Sequence, residues 1–279
     1  MPELPEVETV ARLIRPRLLG RRIVDARIDW PRTVGTMSPA SFRKSIAGSP
    51  IDRVWRRGKY IVFDLGPRRC LVGHLRMTGR MQVREPGSEP SPYVKVSLAL
   101  DDGSVFEFID VRKFGRLILA EEPDEVFPKL GPEPLSDEFT AAWFRAALKR
   151  RSRALKPLLL DQSFLAGLGN IYVDEALHAA RLHPLRHADR LTGKAADALH
   201  AAIRAILEEA IEREGSSFDT FYRTPEGQPG DYQHQFQVYG RTGKPCRRCE
   251  APIRRLVVGQ RGTHICARCQ RSPRGRPSP

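Results

Sequence analysis

GPEPLSDEFTAAWFRAALKR, residues 131–150, is where the chain changes period. Its first half is a polar, proline-containing linker, and its second half spaces apolar residues every three or four positions, as an amphipathic helix does. Beyond it, SRALKPLLLDQ, IYVDEALHAARL and GKAADALHAAIRAILEEAIERE repeat that spacing and read as successive helices. Before it the pattern is different. Short alternating or apolar runs (RIVDARID, KYIVFDL, RCLVGHLRM, RMQVRE, YVKVSLAL, SVFEFID, RLILAEE) are separated by turn signals, and Asp102-Gly103 between two of them marks a hairpin. The first half is therefore expected to be a β-sandwich or barrel-like domain. Only two helices interrupt it, one from Pro5 to about Leu19 and a short one after Ser38-Pro39. No internal repeat is present.

At 279 residues and 41% hydrophobic content the chain can form two domains with buried cores. No stretch approaches the ~18 apolar residues of a membrane span, and no apolar core of a signal peptide follows Met1. A net charge of +14 points to a polyanionic partner. The charge is concentrated: residues 241–279 hold eleven Lys/Arg against a single acidic residue, Glu250. The Pro/Arg/Ser-rich end after Cys269 reads as a disordered basic tail.

Cys246-x2-Cys249 and Cys266-x2-Cys269 are separated by sixteen residues. Two thiolate pairs at this spacing suit a tetrahedral zinc ion held at the knuckles of two hairpins, and without a secretory signal two disulfides are the weaker reading. Between the pairs, Arg254, Arg255 and Arg261 decorate a β-hairpin shaped to enter a nucleic-acid groove. Cys70, in an apolar strand, reads as a buried small hydrophobe. In GLGNIYVDEAL a Gly-rich turn places Asn170 at the start of a helix, where free N–H groups and the helix dipole favour a phosphate. His178, His183, His187 and His200 lack a metal-binding pattern and read as surface or packing residues.

The first residues, MPELPEVETV, have a chemical reading. A small residue after Met1 favours removal of the initiator, which leaves Pro2 with a free secondary amine ahead of the Pro5 helix. A terminal amine has a reference pKa of about 8, and the positive end of a helix favours its neutral, nucleophilic form. Attack at a sugar C1′ gives an iminium that keeps its charge without protonation and acts as an electron sink for β-elimination. Glu3 is placed for proton transfer.

PELPEVET, GKY, HLRMTGR, DVRKFG, GLGNIYVDE, QVYGR and the four-cysteine finger, in this order along nearly the whole chain, resemble formamidopyrimidine-DNA glycosylase. The resemblance implies an α+β fold: an N-terminal β-sandwich with an N-terminal helix, a helix-two-turn-helix domain and a C-terminal zinc-ribbon hairpin. The expected segments are 1–131 (catalytic), 132–232 (helical, DNA-binding), 233–270 (zinc ribbon) and 271–279 (tail). It implies a bifunctional enzyme of base excision repair that flips an oxidised purine such as 8-oxoguanine out of double-stranded DNA, excises it and nicks the abasic strand by β,δ-elimination. One structural Zn²⁺, a monomer and a cytoplasmic, nucleoid-associated location are implied with it.

Carried onto this chain, Pro2 is the Schiff-base nucleophile and Glu3 the acid/base that protonates the sugar oxygen. Lys59 contacts phosphate and lesion. Met77, Arg112 and Phe114 fill the hole left by the flipped base, with Arg112 reading the orphaned cytosine, a task suited to two apolar wedges and a guanidinium. Asn170 and the catalytic-set residue Arg261 clamp phosphates, and Tyr239 supports the Asn170 region. The Gly/Ser/Pro-rich stretch 216–232 corresponds to the loop over the damaged base. Two departures stand out. DVRKFG lacks the proline of the usual DPRRFG, and Tyr93 replaces the histidine usual at a phosphate contact. The nearer alternative is endonuclease VIII, directed at oxidised pyrimidines, which typically opens PEGPE and lacks the complete void-filling set. The alternative from another class is a non-catalytic zinc-ribbon DNA-binding protein.

Overall fold

A computed structural model describes residues 1–218 and 222–272. Most of the tail read as disordered, and residues 219–221 of the Gly/Ser/Pro-rich stretch, lie outside them. The described chain divides into two compact units, residues 1–128 with 213–231, and residues 129–212 with 232 onward.

The first unit opens with α1 (Leu4–Leu18), whose Val7, Val10, Ala11, Ile14 and Leu18 are all buried on one face, as their spacing predicts. The strands β1 (Ile23–Ile28), β2 (Arg53–Arg57), β3 (Tyr60–Asp64), β4 (Cys70–His74), β5 (Gly79–Arg84), β6 (Val94–Leu100), β7 (Val105–Asp110) and β8 (Arg116–Ala120) form two antiparallel sheets. Their orders are β1-β6-β7-β5 and β2-β3-β4-β8. A shared apolar core joins residues of both sheets, with Phe63 and Phe106 edge to face at 5.5 Å, so the architecture is a sandwich. The β6–β7 hairpin turns at Asp102-Gly103 as expected, with Asp102 Oδ1 accepting the Ser104 N–H at 3.0 Å. Helix α2 (Pro39–Ile46) starts at Ser38, whose Oγ accepts the Ser41 N–H at 3.2 Å.

Strand β2 is the one the sequence pattern does not announce. Of RVWRR only Val54 is buried, so neither alternation nor an apolar run marks it. It is ordered by its neighbours: Arg15 Nε of α1 donates to the Val54 carbonyl at 2.7 Å, and Arg56 Nε pairs with Glu8 at 2.8 Å. Burial would raise the Glu8 pKa, but the Arg56 and Arg12 guanidiniums outweigh it and hold the carboxyl below its ordinary value.

The second unit contains α3 (Ala141–Lys149), α4 (Leu155–Leu159), α5 (Asn170–Ala179), α6 (Gly193–Glu212) and the hairpin β9 (Ile253–Val258) and β10 (Arg261–Cys266). Helix α3 begins later than the apolar spacing from Ser136 suggests, because the Thr140 hydroxyl caps it by accepting the Trp143 N–H at 3.0 Å. SRALKPLLLDQ yields only five helical residues. The Gln162 side chain then takes over, donating to the Leu160 and Leu168 carbonyls and accepting from Gly167 N–H. His200 and His183 pack as expected, His200 lying 4.5 Å from the Phe139 ring. Cys70 is buried, and desolvation pushes its thiol up to about 11, which leaves it unreactive.

Candidate active site and nucleic-acid interface

Pro2 and Glu3 are buried at the head of α1. Glu3 is the N-cap, with an extended backbone, and it forms a reciprocal capping box with Glu6: its carboxylate receives the Glu6 N–H, and Glu6 Oε2 accepts the Glu3 N–H at 2.8 Å. This holds the first residues against the positive end of the helix. Helix α1 packs on β2, β3 and β5. Lys59 sits in the β2–β3 turn after the left-handed Gly58 and is buried rather than solvated. While Met1 is attached the Pro2 nitrogen is an amide, and its removal exposes the secondary amine.

Near Lys59, His74 ends β4 with its ring edge-on to Tyr60 at 4.6 Å. Its Nδ1 accepts the Arg76 N–H at 3.0 Å, fixing a left-handed Arg76 immediately before Met77. Desolvation, then the charges of Arg76 and Lys59, lower the His74 pKa to about 3, so the ring is neutral and remains an acceptor.

The residues expected to fill the void lie in two turns that are tied together. Asp110, at the end of β7, accepts from the Thr78 hydroxyl, from Arg112 N–H at 3.2 Å and from Gly115 N–H at 2.7 Å. Thr78 Oγ1 in turn accepts the Arg112 N–H at 3.2 Å. Glycine is required on both sides: a Cβ at Gly79 would lie 2.4 Å from the Leu75 carbonyl oxygen, and one at Gly115 2.5 Å from the Phe108 ring. Met77, Val111 and Phe114 are left exposed, with the Arg112 guanidinium 5.1 Å from the Phe114 ring centroid. Tyr93 belongs to the same rim, since its carbonyl accepts the Asp110 N–H at 3.0 Å and its side chain is half exposed. In the same turn Lys113 Nζ stands 4.3 Å from the Trp30 ring centroid.

In the second unit Asn170 and Tyr239 both meet the β9–β10 hairpin that carries Arg261, Tyr239 lying edge-on to the His264 ring at 4.9 Å. Asn170 opens α5 behind Gly169, which offers no side-chain cap. Its Nδ2 donates at 2.9 Å to the Gly262 carbonyl, next to the exposed Arg261. The turn Gly259-Gln260 is left-handed at both positions, which suits a two-residue hairpin and sets Arg261 at its exit.

Three buried residues that sequence reading did not find organise this arrangement. Lys156 Nζ pairs with Asp174 at 2.6 Å, both side chains being fully buried, and also donates to the Gly262 carbonyl at 3.1 Å. Asp174 Oδ2 accepts the His264 N–H at 2.8 Å. Glu175 accepts the N–H groups of Gln237, Val238 and Tyr239 at 2.8–3.0 Å. Burial nonetheless raises the Glu175 pKa against these donors. The available signal was VDEA itself, two adjacent carboxylates inside an otherwise apolar helix.

Cys246, Cys249, Cys266 and Cys269 place their sulfurs within 4.8 Å of one another. Four thiolates about 2.3 Å from a tetrahedral zinc stand ~3.8 Å apart. The Cys249–Cys266 and Cys249–Cys269 separations of 3.4 and 3.5 Å are close to that, so the donor set fits a structural Zn²⁺. His178, read as packing, lies buried with Nε2 3.6 Å from Cys246 Sγ, beside a set already complete in cysteine.

Three family models match this chain: the formamidopyrimidine-DNA glycosylase N-terminal domain over residues 1–117, the formamidopyrimidine-DNA glycosylase H2TH domain over 130–222, and a zinc finger found in FPG and IleRS over 243–271. The formamidopyrimidine-DNA glycosylase of Symbiobacterium thermophilum is 47% identical, over 99% of this chain and 91% of its own length. That of Herpetosiphon aurantiacus is 46% identical over 97% of this chain and all of its own. Among solved structures, Lactococcus lactis Fpg in complex with DNA containing N7-benzyl-Fapy-dG has a TM-score of 0.88 and 38% identity, covering 97% of this chain and 100% of that one. The Thermus thermophilus MutM (Fpg) protein has a TM-score of 0.86 and 43% identity, covering 96% and 98%. The sandwich with its leading helix, the helix-two-turn-helix region and the four-cysteine hairpin thus occur in the order in which the matching models run, and the chain belongs to the formamidopyrimidine-DNA glycosylase family.

Proposed function

We propose that this chain is a bifunctional DNA glycosylase and abasic-site lyase of base excision repair, acting on formamidopyrimidines and 8-oxoguanine in double-stranded DNA. The observation that carries the reading is the N-terminus: a proline whose nitrogen becomes a secondary amine on loss of Met1, followed by a glutamate locked in a capping box at the positive end of a helix. The Lactococcus lactis relative has been solved with Fapy-dG-containing DNA and with abasic-site DNA, which are the lesion and the state after base loss.

In this mechanism the Pro2 lone pair attacks C1′ and the glycosidic bond breaks, the base leaving with a proton. Glu3 protonates the ring oxygen as the sugar opens, giving a Pro2–C1′ iminium. The cationic nitrogen accepts the electron pair when the C2′ proton is removed and the 3′-phosphate is expelled. A second elimination expels the 5′-phosphate, and water hydrolyses the imine to restore Pro2. Lys59 is assigned to phosphate and lesion, and Asn170, Arg261 and Tyr93 to phosphates, with Tyr239 supporting Asn170. Met77 and Phe114 replace the lost stacking, while Arg112 meets the orphaned base. Residues 216–232 are assigned to the damaged base. The four cysteines would hold zinc in a purely structural role. Action at the nucleoid in the cytoplasm is part of the same proposal. No helix among the described residues is long and apolar enough to cross a membrane.

Borohydride trapping on 8-oxoguanine DNA tests the reading. The mature protein should give a covalent adduct mapping to Pro2, Pro2→Gly a reduced yield, and protein with an uncleaved N-terminal tag none. A normal adduct from the tagged protein would make a lysine the nucleophile, Lys59 first.

A further inference from the structure

We infer that Glu6 is a positioning residue for the catalytic N-terminus, holding Glu3 and the backbone at residues 215–217 in one fixed arrangement. The inference rests on the assignment of Pro2 and Glu3 as the reacting pair. Glu6 lies in the first turn of α1 and is 2% exposed. One carboxylate oxygen accepts the Glu3 N–H at 2.8 Å, and the other accepts the Ser216 N–H at 2.8 Å and its hydroxyl at 3.2 Å. A carboxylate is planar and acceptor-only, so a single rigid group sets the distance between two segments 210 positions apart.

The surroundings leave this group little room to adjust. Gly215 is left-handed, and a Cβ there would fall 2.9 Å from Glu6. Farther along, Tyr222 is buried in the sandwich core and its hydroxyl donates to the Glu214 carbonyl at 3.0 Å, pinning the segment on the other side of Ser216. A capping box alone needs only the bond to Glu3. The second oxygen makes Glu6 a link, so that the position of Glu3 depends on how the chain after α6 is docked.

Glu6→Gln keeps the shape but turns one acceptor into a donor, which must face either the Glu3 or the Ser216 N–H and break that bond. Single-turnover rates at saturating enzyme should fall about tenfold or more for 8-oxoguanine excision and less than roughly threefold for a preformed abasic site, whose aldehyde needs less help from Glu3. Duplex affinity should be unchanged. Ser216→Ala should show a smaller loss in the same step, and Glu6→Gln/Ser216→Ala should be no slower than Glu6→Gln. Equal losses in both steps accompanied by a lower Tm, additive effects in the double variant, or undiminished excision would each overturn the inference and leave Glu6 as an ordinary helix cap. Failure of the underlying assignment would appear separately, as a parent protein that forms no adduct at Pro2.

Discussion

Arg112 lies over the Phe114 ring, and its backbone N–H is held by Asp110 and Thr78, so the guanidinium is presented by a braced turn. Arg112→Ala should reduce discrimination in favour of cytosine opposite the lesion by about 1–3 kcal/mol. Excision from duplexes carrying each opposite base would check this, and equal discrimination in variant and parent would make Arg112 structural only. His74 makes a pH prediction at the same scale. Its pKa is lowered from 6.5 to about 3, so the unfolded chain binds the extra proton first. The stabilisation is complete above pH 6.5 and is lost as pH falls from there toward 3, the loss reaching about 3 kcal/mol by pH 4. His74→Asn can still accept the Arg76 N–H without titrating, and denaturant unfolding should show a flatter dependence between pH 6.5 and 4. The four cysteines were legible because their spacing carries them, and Pro2 and Arg112 are proposed from motifs in the same way. Asp110, Lys156, Asp174 and Glu175 were not, because their partners come from distant parts of the chain and only the fold brings them together.

At the scale of elements, most strands and helices follow from period alone, and the exceptions have local causes. Strand β2 carries arginines whose charges are absorbed by α1 and by solvent, so its sequence has no strand signature. The starts of α3 and the end of α4 are set by side-chain bonds from Thr140 and Gln162 that outcompete continued helix. The zinc hairpin is the element with the least core of its own, Val238 and Ile253 beside the buried Cys246 and Cys266. Its folding should therefore be coupled to metal. Cys249→Ser, or chelation of the parent, should weaken duplex binding by an order of magnitude or more while the sandwich unfolds at its usual denaturant concentration. Elemental analysis showing no zinc, together with unchanged affinity, would contradict this.

At the scale of the whole molecule, charge and chemistry are unevenly divided along the chain. The excess of Lys/Arg lies after residue 240, whereas Pro2 and Glu3 lie at the start. Binding should be strongly salt-dependent, and Arg261→Ala should lower the slope of log K against log salt by about 1 and weaken damaged and undamaged duplexes alike. Arg112→Ala should leave that slope unchanged if, as proposed, Arg112 serves a base rather than a phosphate. A titration of affinity between low and physiological salt separates the two roles. The compact units also depart from chain order: residues 213–231 group with the N-terminal sandwich, through Ser216 at Glu6 and Tyr222 in its core. No local pattern announces such a return, because it depends on a partner about two hundred positions earlier.

That return has a consequence for biosynthesis. Glu6 leaves the ribosome early, whereas Ser216 follows 210 residues later, roughly 10–40 s at ordinary elongation rates. During that interval the sandwich can collapse and the Glu3–Glu6 capping box can close, but the second carboxylate oxygen of Glu6 has no Ser216 to meet. The link between the amine assigned to attack DNA and the returning segment is thus completed only when three-quarters of the chain has been made, and prematurely ended chains carry the N-terminus with its local capping box alone.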